Sequence, residues 1–213
     1  ASAIGLACIA WILLRSLVIS EYDSFMRFLP LVSGVSLALL ASGFALKQYW
    51  RELLTLSLMT IPITTLASQF DISPLTAELS SSLLWYSGFR VIQEGVMLHM
   101  PTGSVEVYPG CSGLQLIWQH LSLGIVFVLL FPIGWLRSLI VLIAGVAIAF
   151  IVNSIRVALM AVLFAQNNRE AFEYWHLGTG SLLFSMISVS IFGMLCYLLL
   201  EQADRAEEEE MQA

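Results

Sequence analysis

Three residues in this sequence have types and settings that could do chemistry together: Cys111, Arg156 and His176. A thiol is a strong nucleophile only as thiolate, and its pKa of about 8.5 falls beside a cation or a helix N-terminus. Cys111 stands in Pro109-Gly-Cys-Ser-Gly-Leu-Gln115, at the head of a long apolar run. A helix start there brings partial positive charge and unpaired N–H groups, which favour an anion. Ser112 and Gly113 could offer backbone donors to an oxyanion. His176, in Tyr174-Trp-His-Leu-Gly-Thr-Gly180, is the side chain that moves protons near neutral pH. Arg156, in Asn153-Ser-Ile-Arg156, keeps its charge and presents a forked donor suited to a thiolate, an oxyanion or a carboxylate. Together they would support thioester formation followed by transfer to water or an amine.

Each residue also has an ordinary use. A lone cysteine at a helix start is more often structural, and a histidine at a membrane interface is usually a satisfied polar group. Arginine at a span centre costs about 2.5–3.5 kcal/mol on insertion scales and so needs a partner or a role. At a span boundary, snorkelling would account for it equally well. His99 falls on a strand-like stretch. His120 lies nine residues past Cys111, which at about 100° per residue sets it on the opposite helix face, packed against another helix. Arg15 reads as a snorkelling residue, and Cys8 and Cys196 as packing residues. No Cys/His cluster has metal-ligand spacing and there is no Gly-rich phosphate loop, so neither metal nor cofactor is expected.

The elements that must position these residues are membrane helices. Of 213 residues, 59% are hydrophobic and only 11% charged, with a mean hydropathy of +0.88. A soluble domain carries about a quarter charged residues, and charge this sparse cannot cover a globule. That excludes a soluble enzyme, a nucleic-acid reader and a disordered scaffold. The net charge of −6 comes largely from Glu207 to Glu210, near the end of the chain.

At about 20 apolar residues per crossing, spans are expected over Ser2–Ser20, Pro30–Lys47, Glu52–Gln69 (with a kink at Pro62), Ser112–Phe131, Trp135 to about Gln166, and Trp175–Leu200. The first run lacks a basic leader and reads as a span rather than a cleaved signal. The fifth run, at about 48 Å, either overshoots the bilayer or breaks near Asn153. Leu75–Phe89 reads as an amphipathic segment at the interface or re-entering the membrane. Turn signals at Glu94-Gly95 and Thr102-Gly103 flank Val96–Met100 and Ser104–Tyr108 and predict a small β-hairpin outside the bilayer, just before Cys111. The fold class expected is therefore an all-α polytopic membrane protein, 1–213 as one domain, with six to seven spans and a charged cytoplasmic tail over 201–213. Lys47, Arg51 and Arg137 orient the loops that carry them to the cytoplasm. Cys111, Arg156 and His176 then reach one level, at the outer membrane boundary.

With these three motifs on the page, the sequence resembles the exosortase/archaeosortase family of multi-span membrane transpeptidases. The family pattern is Cys-Ser-Gly at a helix start, Asn-x-x-Arg in a later span, then a histidine with a glycine four residues on. Here these are Cys111-Ser-Gly113, Asn153-Ser-Ile-Arg156, and His176 with Gly180; the match covers 91–200, and features of it are similar to cyanobacterial members. Members commonly have about eight spans, more than are counted here. The resemblance implies cleavage of a C-terminal sorting signal on exported proteins: a motif of Pro-Glu-Pro type, a transmembrane helix and a basic tail. An acyl-enzyme would then pass to an acceptor, often in connection with exopolysaccharide production. It implies Cys111 as nucleophile, His176 as proton shuttle and Arg156 as electrostatic stabiliser, with Asn153, one turn from Arg156, orienting it. The partners implied are exported proteins, the lipid bilayer of the plasma (inner) membrane and an acceptor molecule, with no nucleic acid.

Two other functions fit the residues. In a transporter or channel subunit, Arg156 and His176 would line an ion or proton path, although no inverted repeat is evident. In an assembly factor, the three residues would only pack.

Overall fold

A computed structural model describes residues 2–16, 25–60, 70–176 and 178–212. The chain resolves into two compact units, Ala1–Thr65 and Leu66–Ala213. In the first, α1 (Ser2–Ser16) packs on α2 (Phe25–Ser42), and a 3-10 turn at Leu46–Tyr49 runs into α3 (Trp50–Met59), which also packs on α2. Pro30 lies inside α2 rather than opening it, and Pro62, with the remainder of the third expected span, lies outside the described residues.

The second unit holds α4 (Ser73–Tyr86), strands β1 (Ile92–Glu94), β2 (Met97–Met100) and β3 (Gly103–Glu106), a 3-10 turn (Pro109–Cys111), and four further helices. These are α5 (Leu114–Leu130), α6 (Trp135–Ala165), α7 (Arg169–His176) and α8 (Thr179–Gln212). Among the described residues, three helical stretches are long and apolar enough to cross a bilayer: Pro109–Leu130, Trp135–Ala165 and Thr179–Ala206. Among the described residues the expected count of six to seven is not confirmed; the first and third expected spans run into residues outside them. Ser2–Ser16 and Phe28–Ser42 are shorter apolar helices among the described residues.

Two local expectations are corrected. The expected hairpin is a three-stranded antiparallel meander in the order β1-β2-β3. Ile92 faces His99 and Glu94 faces Met97 across the added strand, and Met97 faces Glu106 across the expected one. His176 does not open the last span. It ends α7, a short helix of its own, and α8 begins at Thr179.

α6 is unbroken across Asn153. Its 31 residues give a length of about 46 Å, against a hydrocarbon core of about 30 Å. The surplus belongs to the C-terminal third. There, Val157, Ala158, Met160 and Ala161 pack with Ala77 and Leu84 of α4, with Leu98 of the sheet and with Val107, and Phe172 and Trp175 of α7 lie against them. Thr102 Oγ1, in the β2–β3 turn, donates to the Ala165 carbonyl at 2.6 Å. An open sheet edge cannot stand in lipid, because its N–H and C=O groups would go unsatisfied. The sheet, α4 and α7 therefore form a cap around the end of α6 that projects from the bilayer. The other end of α6 packs through Val141 into a second apolar cluster with Phe192, Cys196 and Leu199 of α8.

Candidate active site

The loop bearing Cys111 is fixed before the side chain is considered. Cys111 N–H donates to the Tyr108 carbonyl at 2.8 Å, closing the 3-10 turn. Gly113 then reverses direction at φ 88°, the left-handed region that residues with a Cβ enter at a cost. Cys111 thus sits two residues ahead of Gly113, the N-cap of α5, rather than in the first helical turn. Two buried side chains hold the carbonyls of this loop. Asn153 Nδ2 donates to the Cys111 carbonyl at 2.9 Å, and Thr76 Oγ1 of α4 donates to the Ser112 carbonyl at 2.7 Å. Asn153, expected beside Arg156, thus also orients the backbone of the thiol. Ser112 N–H lies 3.3 Å from the Pro109 carbonyl, so it is engaged within the turn.

The thiol is 5% exposed, and its Sγ lies 3.5 Å from His176 Nε2. Tyr108, which no motif in the sequence marks, brings its hydroxyl to 3.1 Å from the same nitrogen. Its ring folds back across Gly110, where a Cβ would come within 2.5 Å of the ring. The Tyr108 phenol is pushed up to about 12, first by its hydrogen bond with Cys111, then by burial and the Cys111 charge, with Arg156 pulling the other way. It therefore keeps its proton at any physiological pH. Burial, and after it the nearby Arg156 charge, hold His176 below the usual imidazole range. A neutral ring protonated on Nδ1 offers Nε2 as the acceptor that the thiol and the phenol both face.

Arg156 reaches His176 from the main-chain side. Its Nη2 donates to the His176 carbonyl at 2.9 Å, and its Nε lies 3.4 Å from the Trp175 carbonyl. These carbonyls close α7, where the helix dipole favours a cation. The ring of His176 is further bounded by Phe172, with centroids 5.2 Å apart. Gly180 makes room for the aromatic pair just before it: a Cβ there would meet Tyr174 and Trp175 ring atoms at 2.7–2.8 Å. Arg156 and Asn153 also line a polar cavity of about 250 Å3 that runs from Gly110 and Gly113 down between α5 and α8.

The remaining candidates lie elsewhere. His120 is fully buried, with Nδ1 3.0 Å from the Leu116 carbonyl and Nε2 2.9 Å from Ser188 Oγ. Nδ1 therefore carries the proton, and the hydroxyl donates to Nε2. His99 pairs with Ser104 on the sheet at 2.8 Å. Cys196 is buried in the apolar cluster of α6 and α8, and Cys8 is half-buried on α1.

Cys111, Asn153, Arg156 and His176, spread over three motifs far apart in sequence, converge in one place. Tyr108 and Thr76 complete the group. Both are common residue types, three and 35 positions ahead of the cysteine, and nothing in their spacing sets them apart. No significant match to a curated protein or to a solved structure was found. A family model described as transmembrane exosortase (Exosortase_EpsH) matches residues 1–193. The chain is a membrane protein that belongs to the transmembrane exosortase family.

Proposed function

We propose that this protein is a membrane-embedded cysteine peptidase and transpeptidase. It cleaves a C-terminal sorting signal of Pro-Glu-Pro type from exported proteins and passes the acyl group to an acceptor. Cys111 is the nucleophile, His176 the proton shuttle, and Arg156 both positions His176 and supplies positive charge. The site faces the extracytoplasmic side of the plasma (inner) membrane.

In the first half-reaction His176 Nε2 takes the thiol proton as Sγ attacks the scissile carbonyl carbon. The resulting oxyanion forms beside Gly113 and the Arg156 guanidinium, and its collapse breaks the C–N bond. His176 returns the proton to the departing amine, leaving a thioester on Cys111. In the second half-reaction an acceptor amine or water gives its proton to His176 and attacks the thioester. Sγ then departs as the leaving group and recovers the proton.

The observation that carries this reading is the 3.5 Å approach of Cys111 Sγ to His176 Nε2, between residues 65 positions apart. Its setting agrees. The pair sits at the foot of the cap, where α6 leaves the bilayer, and a signal cut just ahead of its transmembrane helix would present its scissile bond at that level.

The test is co-expression with an exported reporter carrying such a tail, comparing wild type with Cys111→Ser at equal membrane abundance. Loss of the tail with wild type alone is expected. Processing by both, or by neither across several signals, overturns the reading.

A further inference from the structure

α5 and α8 are bonded where His120 meets Ser188, and above that bond a polar groove opens between them. Its walls carry Gln115 and Gln119 on α5 and Ser181 and Ser185 on α8, with Arg156 at the top. Both glutamines are exposed, although they lie about 6 and 12 Å along a candidate membrane span from Cys111. An exposed amide at that depth is unfavourable unless something polar occupies the groove. Among the described residues no carboxylate pairs with Arg156, so the head of the groove is also positively charged.

The groove matches one kind of occupant in its spacing. Gln115 and Gln119 are four residues apart, as are Ser181 and Ser185, so each wall offers polar groups at about 6 Å intervals. An extended chain repeats the groups on one side every second residue, at about 6.4–6.8 Å. Glutamine supplies both donors and an acceptor. Ser181 Oγ donates to the Gly178 carbonyl at 2.8 Å and keeps its lone pairs free to accept. A helical substrate has no use for these partners, because its backbone is already satisfied. A segment unwound to bring its scissile carbonyl to Cys111 needs them, since each unpaired main-chain group in hydrocarbon costs several kcal/mol.

We propose that the groove between α5 and α8 binds the residues immediately C-terminal to the scissile bond as an extended strand. Gln115, Gln119, Ser181 and Ser185 serve its main chain, and the chain enters sideways from the bilayer. This rests on the reading of the protein as a sorting-signal peptidase, and it makes the groove the site where the top of the transmembrane segment is unwound.

The test is a disulfide scan. In a chain with Cys8, Cys111 and Cys196 changed to Ala, Gln119→Cys provides one thiol in the groove, and Ile151→Cys provides one on an exposed face of α6 as control. Reporters carry single cysteines at successive positions after the cleavage site. Gln119→Cys is expected to cross-link alternate positions within the first several residues, and Ile151→Cys none. In parallel, Gln119→Leu with Ser185→Ala is expected to slow processing tenfold or more while leaving alkylation of Cys111 by a small soluble maleimide unchanged.

Cross-links recurring every three to four positions would show a bound helix and overturn the proposal. So would an absence of cross-links while the wild type cleaves the same reporters, which leaves the peptidase reading intact. Accumulation of the acyl-enzyme in the groove variant would assign the groove to the acceptor and overturn it too. Failure of the wild type to cleave any reporter removes the peptidase reading and this proposal with it.

Discussion

Replacing Gly113 by alanine perturbs the thiol without touching it. The residue stands at φ 88°, where a Cβ costs about 1–2 kcal/mol. The added atom would lie 2.6 Å from Asn153 Nδ2 and 2.7 Å from its Cγ, so the Asn153 side chain must leave. Asn153 is 2% exposed and donates to the Cys111 carbonyl; losing that buried bond costs about 1–3 kcal/mol. Gly113→Ala should therefore destabilise by about 2–5 kcal/mol in all, and Asn153→Ala by about 1–3 kcal/mol. The two losses share the same hydrogen bond, so the double variant should lose no more than Gly113→Ala alone. The shortfall from additivity is the bond itself, about 1–3 kcal/mol.

The assay is denaturant unfolding of the four proteins in mixed micelles, followed by tryptophan fluorescence, beside the alkylation rate of Cys111. Both single variants should alter alkylation, because both release the backbone that aims the thiol. Losses that add to within about 0.5 kcal/mol would mean that the two side chains do not meet. They would refute the claim that Asn153 holds the Cys111 loop.

Three further outcomes follow from the polar contacts around the thiol. His176 is held below its ordinary value, so between pH 6.5 and its native pKa the unfolded chain binds more protons. Stability should rise with pH across that window and be lost as pH falls through it. The acid limb of Cys111 alkylation should follow, and Arg156→Gln, by removing one of the two depressing causes, should move that limb upward; a limb that stays or falls would contradict the cited cause. Tyr108→Phe removes the hydroxyl that lies 3.1 Å from His176 Nε2, worth about 0.5–1.5 kcal/mol for a neutral hydrogen bond, and should slow alkylation at pH 7 by roughly two- to tenfold. An unchanged rate would show that the phenol does not orient His176 toward the sulfur.

What the sequence made legible is uneven for a physical reason. Helical periodicity places His120 on the face opposite Cys111, and the structure finds it buried against α8 through Ser188. The unbroken apolar pattern from Trp135 carries α6 past the bilayer. Periodicity reports faces within one helix, however, and is silent on which neighbour a face meets. Asn153 and Arg156 do share a face, yet one turns to the Cys111 carbonyl and the other to the end of α7. The boundary of α7 was hidden because the aromatic pair Tyr174-Trp175 runs directly into the apolar span, so the short helix ending at His176 merged with α8. Thr76 was hidden because its partner is a carbonyl, and a carbonyl leaves no mark in sequence.

In the proposed reaction, the length of α6 accounts for the level at which the thiol would act. Burial keeps the His176 imidazole neutral and ready to accept the thiol proton, a condition that open solvent relaxes. Resolving a thioester, by contrast, requires water or an amine to reach it. At the bilayer centre the first condition holds and the second fails; in open solvent the reverse is true. Cys111 is buried at the edge of the cluster formed by α4, the sheet and the projecting end of α6, while the polar groove opens beside it. A shorter α6 would remove the surface on which the cap and α7 are built, and His176 would have no fixed position from which to face the sulfur.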